Sequence, residues 1–153
     1  MAIIQNPTPI TAETFNGMWI NQLQIFLPLG AQKGFIQGRL LPYDGTHLLA
    51  TGGRDVRVFD LATKRTTDAA LDAVLTALVA ELKRQSKKTT DIKFLNVMAP
   101  DPAKAVSAMV FFSDNTHYNI ANCYALAGTD ATFAGVLTNT LGEVAVLAGL
   151  TVA

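Results

Sequence analysis

The chain has 153 residues, half of them apolar and only 16% charged, and its 12 basic and 12 acidic side chains cancel to a formal net charge of zero. An ordinary soluble domain carries about 25% charge. The balance excludes a disordered chain, a polybasic nucleic-acid binder and an acidic tail, and the single Cys123 excludes a disulfide scaffold.

Pro7 and Pro9 hold residues 1–10 extended, as an arm or first edge strand whose Ile3 and Ile4 suit a neighbouring subunit. No basic and apolar blocks of a secretory signal precede Thr14. Met18 to Leu27 reads as a strand, with Trp19, Leu23, Ile25 and Leu27 on one face and Gln22 and Gln24 on the other; Asn21 breaks the pattern. Phe35 to Tyr43 is a second strand, and Tyr43-Asp44-Gly45-Thr46 turns it back. His47 to Ala50 is a short return strand, and Arg54 to Asp60 is another, with Val56 and Val58 inward.

The clearest element follows. Leu71, Val74, Leu75, Leu78, Val79 and Leu82 recur at steps of three and four, which predicts a helix over 67–86 with Thr66 or Thr67 as its N-cap and Asp68 in its first turn. Lys83, Arg84, Lys87 and Lys88 sit at its C-terminal end, where the helix dipole favours cations. The longest helical apolar run, Ala69 to Ala80, is too short to span a bilayer.

Asp91 to Met98 is a strand with Ile92, Phe94 and Asn96 on one side and Leu95 and Val97 on the other. Ala105 to Phe112 follows, with Val106, Ala108, Val110 and Phe112 on one face and Ser107, Met109 and Phe111 on the other. Ser113 to Thr116 is a hairpin turn that returns through His117 to Ile120. A final helix, capped by Thr129 or Asp130, runs through Leu141 on Phe133, Val136 and Leu137. Residues 143–153 read as a helix tail, a terminal strand or an arm, and the strand or arm is the expectation. The order describes one α+β domain over 1–153: an antiparallel-rich sheet or sandwich, one long central helix and a small C-terminal helical region.

No motif carries chemistry. His47, His117, Cys123, Asp44 and Asp114 lack metal-ligand spacing. Cys123, His117 and Asp114 have the residue types of a nucleophile, a base and an orienter, but Cys123 lies in the apolar run ANCYALA. Thr51-Gly52-Gly53-Arg54 lacks the frame of a phosphate loop. The basic run Lys83, Arg84, Lys87, Lys88 and Lys93 has no interleaved stacking aromatics. The expectation is no enzyme, no cofactor and no metal.

A surface so poor in charge is suited to burial, because Lys and Glu are costly to desolvate at an interface centre. The chain therefore reads as an assembled subunit, a homo-oligomer joined to other structural proteins, with neither membrane nor nucleic acid as partner. Candidate interface residues are Ile3 and Ile4 of the arm, the aromatic anchors Trp19 and Tyr43, and the bases Lys83, Arg84, Lys87 and Lys88. The rivals are a monomeric small-molecule-binding or adaptor module, and an enzyme using His117 or Asp114.

Several segments give the chain its overall texture: NPTPITAETF, LLPYDGTHLLATGG, the lone helix at 67–86 and NIANCYALAGTDATFAGVLTNT. In this it resembles small virion structural proteins of tailed bacteriophages. The resemblance implies a non-enzymatic subunit of a ring or shell, at the tail, the head-to-tail joint or the capsid surface, assembled in the host cytoplasm. Phage tail-tube and tail-completion subunits are similar in building rings from a β-rich domain with one packed helix.

Overall fold

A computed structural model describes residues 17–43, 47–49, 52–99, 106–120 and 131–149. In chain order the elements are β1 (Gly17–Phe26), β2 (Phe35–Tyr43), β3 (Arg54–Val58), α1 (Leu61–Thr67), α2 (Ala69–Ser86), β4 (Ile92–Met98), β5 (Ser107–Phe112), β6 (His117–Ile120) and α3 (Ala131–Leu147). The strands form one six-stranded sheet in the order β3-β2-β1-β4-β5-β6. Every neighbouring pair is antiparallel. The fold is α+β, as the sequence indicates, with a single sheet rather than a sandwich.

Alternation decides which side of the sheet is core. Leu23, Ile25, Ile36, Leu40, Val56, Leu95, Val97, Ala108 and Val110 share one side by register and are buried. They join one apolar cluster with Leu61 of α1, Leu71, Leu75, Leu78 and Leu82 of α2, and Phe133, Leu137 and Val144 of α3. The helices thus form a second layer on that side; α2 and α3 each bury one stripe at helical spacing, and α1 buries Leu61. Gly38 sits in this packed layer, where an added Cβ would come within 3.3 Å of the Leu23 side chain.

Three helical expectations are corrected. The helix predicted over 67–86 begins at Ala69, and residues 61–67 form a separate short helix ahead of it. Its N-cap is Asp68 rather than a threonine: the carboxylate accepts from the Leu71 backbone N–H at 3.0 Å, while the Thr66 and Thr67 hydroxyls donate back to carbonyls within α1. Asp60 caps α1 in the same way, through the Thr63 N–H at 3.1 Å. That bond holds the Asp60 carboxyl below its ordinary value. Finally, α3 does not stop at Leu141. It continues through Gly142 to Leu147, so residues 143–147 are helix, not the start of a terminal strand or arm. Burial of Val144 against the core outweighs the modest cost of glycine in the helix interior. The fold therefore has two long helices in place of one.

Two bulges correct the strand faces. The β1 register shifts between Ile20 and Gln22, so Asn21 is the extra residue and the alternation reverses there. Ile20 pairs with Leu40 on the helix side, and Trp19 pairs with Leu41 on the opposite side, away from Leu23 and Ile25. A second shift between Ile92 and Phe94 turns Ile92 into the core beside Leu95 and Val97, away from Phe94. The return strand predicted from His47 reduces to an isolated bridge between Tyr43 and Leu48.

Candidate functional site

The other side of the sheet carries the most distinctive chemistry of the molecule. None of its side chains belongs to the buried core set, and only Trp19 touches that core. Register places Gln22, Gln24, Gln37, Arg39, Asp55, Arg57, Asn96, Met98, Ser107, Met109 and Asn119 there. Their strands bring the polar amides into neighbouring positions: Gln24 pairs with Gln37 on one flank and Asn96 on the other. The Gln37 amide donates to Gln24 Oε1 at 3.3 Å. Arg39 faces Asp55 at 3.6 Å, both well exposed.

Across one end of this face runs a row of rings, one from each successive strand. Phe35 of β2 stacks on Phe26 of β1 with centroids 4.3 Å apart, and Phe26 stacks on Phe94 of β4 at 4.2 Å. Phe94 meets Phe111 of β5 at 5.5 Å, and Phe111 meets His117 of β6 at 5.9 Å. The first three pairs lie within 25° of parallel. Each pair occupies directly opposed positions in the ladder, the geometry in which cross-strand aromatics stabilise one another. Phe59, one residue past β3 and 79% exposed, shares a shallow hollow with Phe35, Gln37 and Arg57. A second hollow lies along Phe26, Lys93, Phe94 and Phe111.

Two of the candidate interface residues come together on this same face, at the end opposite the row. Trp19 and Tyr43 have ring centroids 5.6 Å apart, and the Trp19 indole Nε1 donates to the Ala99 carbonyl at 2.9 Å. Ile3 and Ile4 lie outside the described residues, as does Cys123.

The bases Lys83, Arg84, Lys87 and Lys88 stand apart from Trp19 and Tyr43, at the C-terminus of α2. Arg84 grips the carboxylate of buried Glu81 through Nε at 2.9 and 3.1 Å and also through its Nη2. Lys87 is the left-handed C-cap of the helix. Lys88 bonds Asp114 at 3.0 Å and the Thr116 hydroxyl, and its ammonium lies 4.6 Å from the Phe112 ring centroid. It thereby ties the end of α2 to the β5–β6 turn. The Thr116 hydroxyl, the Lys88 ammonium and the Thr116 N–H together lower the Asp114 carboxyl to about 2. Lys88 and Arg84 are thus engaged within the fold.

Among the described residues no three histidine, cysteine or acidic side chains gather as a metal site, and no helix is long and apolar enough to cross a membrane. Sequence reasoning missed the ring row as a unit. It grouped Phe94 with Ile92 and Asn96, and Phe111 with Ser107 and Met109, but only strand order and register reveal that these two and two other phenylalanines align. No protein-family model, no curated protein and no solved structure matches the chain.

Proposed function

We propose that this protein is a non-enzymatic structural subunit that assembles with copies of itself or docks into a larger particle. The setting is a ring or shell of a phage virion, as the resemblance in sequence texture implies. One observation carries the reading: among the described residues, a six-stranded sheet with helices on one side presents on its other side a row of phenylalanines and a group of uncharged amides, with Arg39, Asp55 and Arg57 toward the β3 edge. Half-buried rings on a face that no described element covers are a liability for a free monomer and an asset at an interface, where aromatic side chains concentrate binding energy. The scarcity of charge over the whole chain supports the same reading, since little desolvation opposes burial.

Light scattering on the purified full chain tests it. A subunit that assembles with itself gives a mass that is a multiple of 16.3 kDa, and one that docks into a larger particle gains its partner's mass on mixing. A mass of 16.3 kDa under all these conditions contradicts it.

A further inference from the structure

Building on the structural-subunit reading, we infer that the open sheet face is the contact between two copies of this chain, packed face to face about a twofold axis. A twofold contact joins the same patch on both chains, so the patch must be complementary to itself. Amides meet that condition because each carries donors and an acceptor, and an amide can bond its own copy across the axis. A lone Lys or Asp near the axis would meet its like. The middle of the face, on β1 and β4, holds Gln22, Gln24 and Asn96, flanked by Gln37 on β2 and Met109 on β5, with no charge among them. Charge lies toward the β3 edge and at the strand ends, coming nearest the middle at Arg39, which stands opposite Gln22. Arg57 and Asp55 belong to edge strand β3, Arg39 is held by Asp55, and Lys93 lies at the strand end beside Phe94.

The ring row favours an opposing protein over a nucleic acid. Base stacking needs a free ring face. Here the faces of Phe26, Phe35, Phe94 and Phe111 are turned to one another along the row, so the inner rings present edges outward. Edges suit the side chains of a second sheet seated about 10 Å away. The area is also adequate. Strands spaced ~4.8 Å apart with a rise of ~3.3 Å per residue give the face roughly 650 Å² in projection, on the order of the ~800 Å² per partner in a standard stable interface.

Sedimentation velocity over a concentration series, on the full chain and its variants, tests this. Gln24→Lys combined with Gln37→Lys places like charges at the centre, and Asn119→Lys places one on the exposed β6 flank; circular dichroism checks that each folds. Ala77→Lys, on the exposed side of α2, is the control. The expected result is self-association weakened at least tenfold by the double variant, weakened less by Asn119→Lys and unchanged by Ala77→Lys. Self-association that the folded double variant leaves untouched overturns the twofold face while leaving the subunit reading in place. A chain that stays monomeric at every concentration overturns the pairing; if it also gains no mass with structural partners, it overturns the subunit reading as well. A monomer that binds a mixed-sequence single-stranded oligonucleotide, and loses it on Phe94→Ala, overturns the inference in favour of a base-stacking surface.

Discussion

Asp114 shows how a few polar atoms fix the join between the two layers. Its carboxylate accepts from the Thr116 N–H at 3.0 Å and from Lys88 at 3.0 Å, and the Thr116 hydroxyl adds a third donor. Stabilising the charged form lowers the carboxyl from 3.8 to about 2. Because the folded value lies below the unfolded one, the stabilisation is fully present above about pH 4 and fades as the pH falls from there toward 2. A carboxyl chemical-shift titration should therefore find the Asp114 midpoint near 2, moved up toward 3.8 by Thr116→Val. A wild-type midpoint near 3.8 would mean the Lys88–Asp114–Thr116 cluster does not form in solution. The basic run at 83–88 was legible as a helix C-terminus from its position alone. That Lys88 reaches across to Asp114 was not, because the partners are 26 residues apart and meet only once α2 lies on the sheet.

At the scale of the element, an end group adds to what the buried stripes contribute, and a glycine in a helix interior subtracts from it. Asp68 closes α1 and opens α2, accepting from the Leu71 N–H. Asp68→Ala is expected to destabilise the fold by about 1 kcal/mol, a fall of roughly 2–4 °C in melting temperature, while Asp68→Asn loses only a few tenths of that energy. Thermal denaturation of the two variants side by side checks this, and equal melting temperatures would remove Asp68 as the cap. Gly135 lies on the exposed side of α3, and a Cβ there meets nothing within 4 Å. Gly135→Ala should therefore raise stability by about 0.5–1 kcal/mol in urea unfolding. A loss on that substitution would show that this turn of α3 is packed or not helical.

The α2 stripe was plain in the sequence because steps of three and four persist from Leu71 to Leu82. The β5–β6 hairpin was equally plain, since alternation from Val106 to Phe112 runs unbroken into turn residues. Bulges defeated the same reasoning in β1 and β4. One inserted residue, Asn21 in β1 or Lys93 in β4, reverses every side chain beyond it, and periodicity within a single strand cannot locate the insertion. Trp19 was accordingly assigned to the wrong face.

Over the whole molecule, among the described residues, one side of the sheet is closed by α1, α2 and α3 and no described helix lies on the other. The two sides differ in kind: aliphatic Leu, Ile and Val under the helices, and aromatic, amide and methionine side chains opposite, with Arg39, Asp55 and Arg57 toward the β3 edge. Assembly is an expectation drawn from the low charge, and the face proposed for it was not legible in the sequence, because the ring row exists only when β2, β1, β4, β5 and β6 stand in that order. The measurement that bears most directly on the account is hydroxyl-radical footprinting of the full chain at low and high protein concentration. Covering of this face by protein predicts that labelling of Phe26, Phe94, Met98 and Met109 falls as concentration rises, while labelling of exposed Val146 on α3 stays constant. Labelling of those four residues that is independent of concentration, in a chain of constant 16.3 kDa mass, would contradict it.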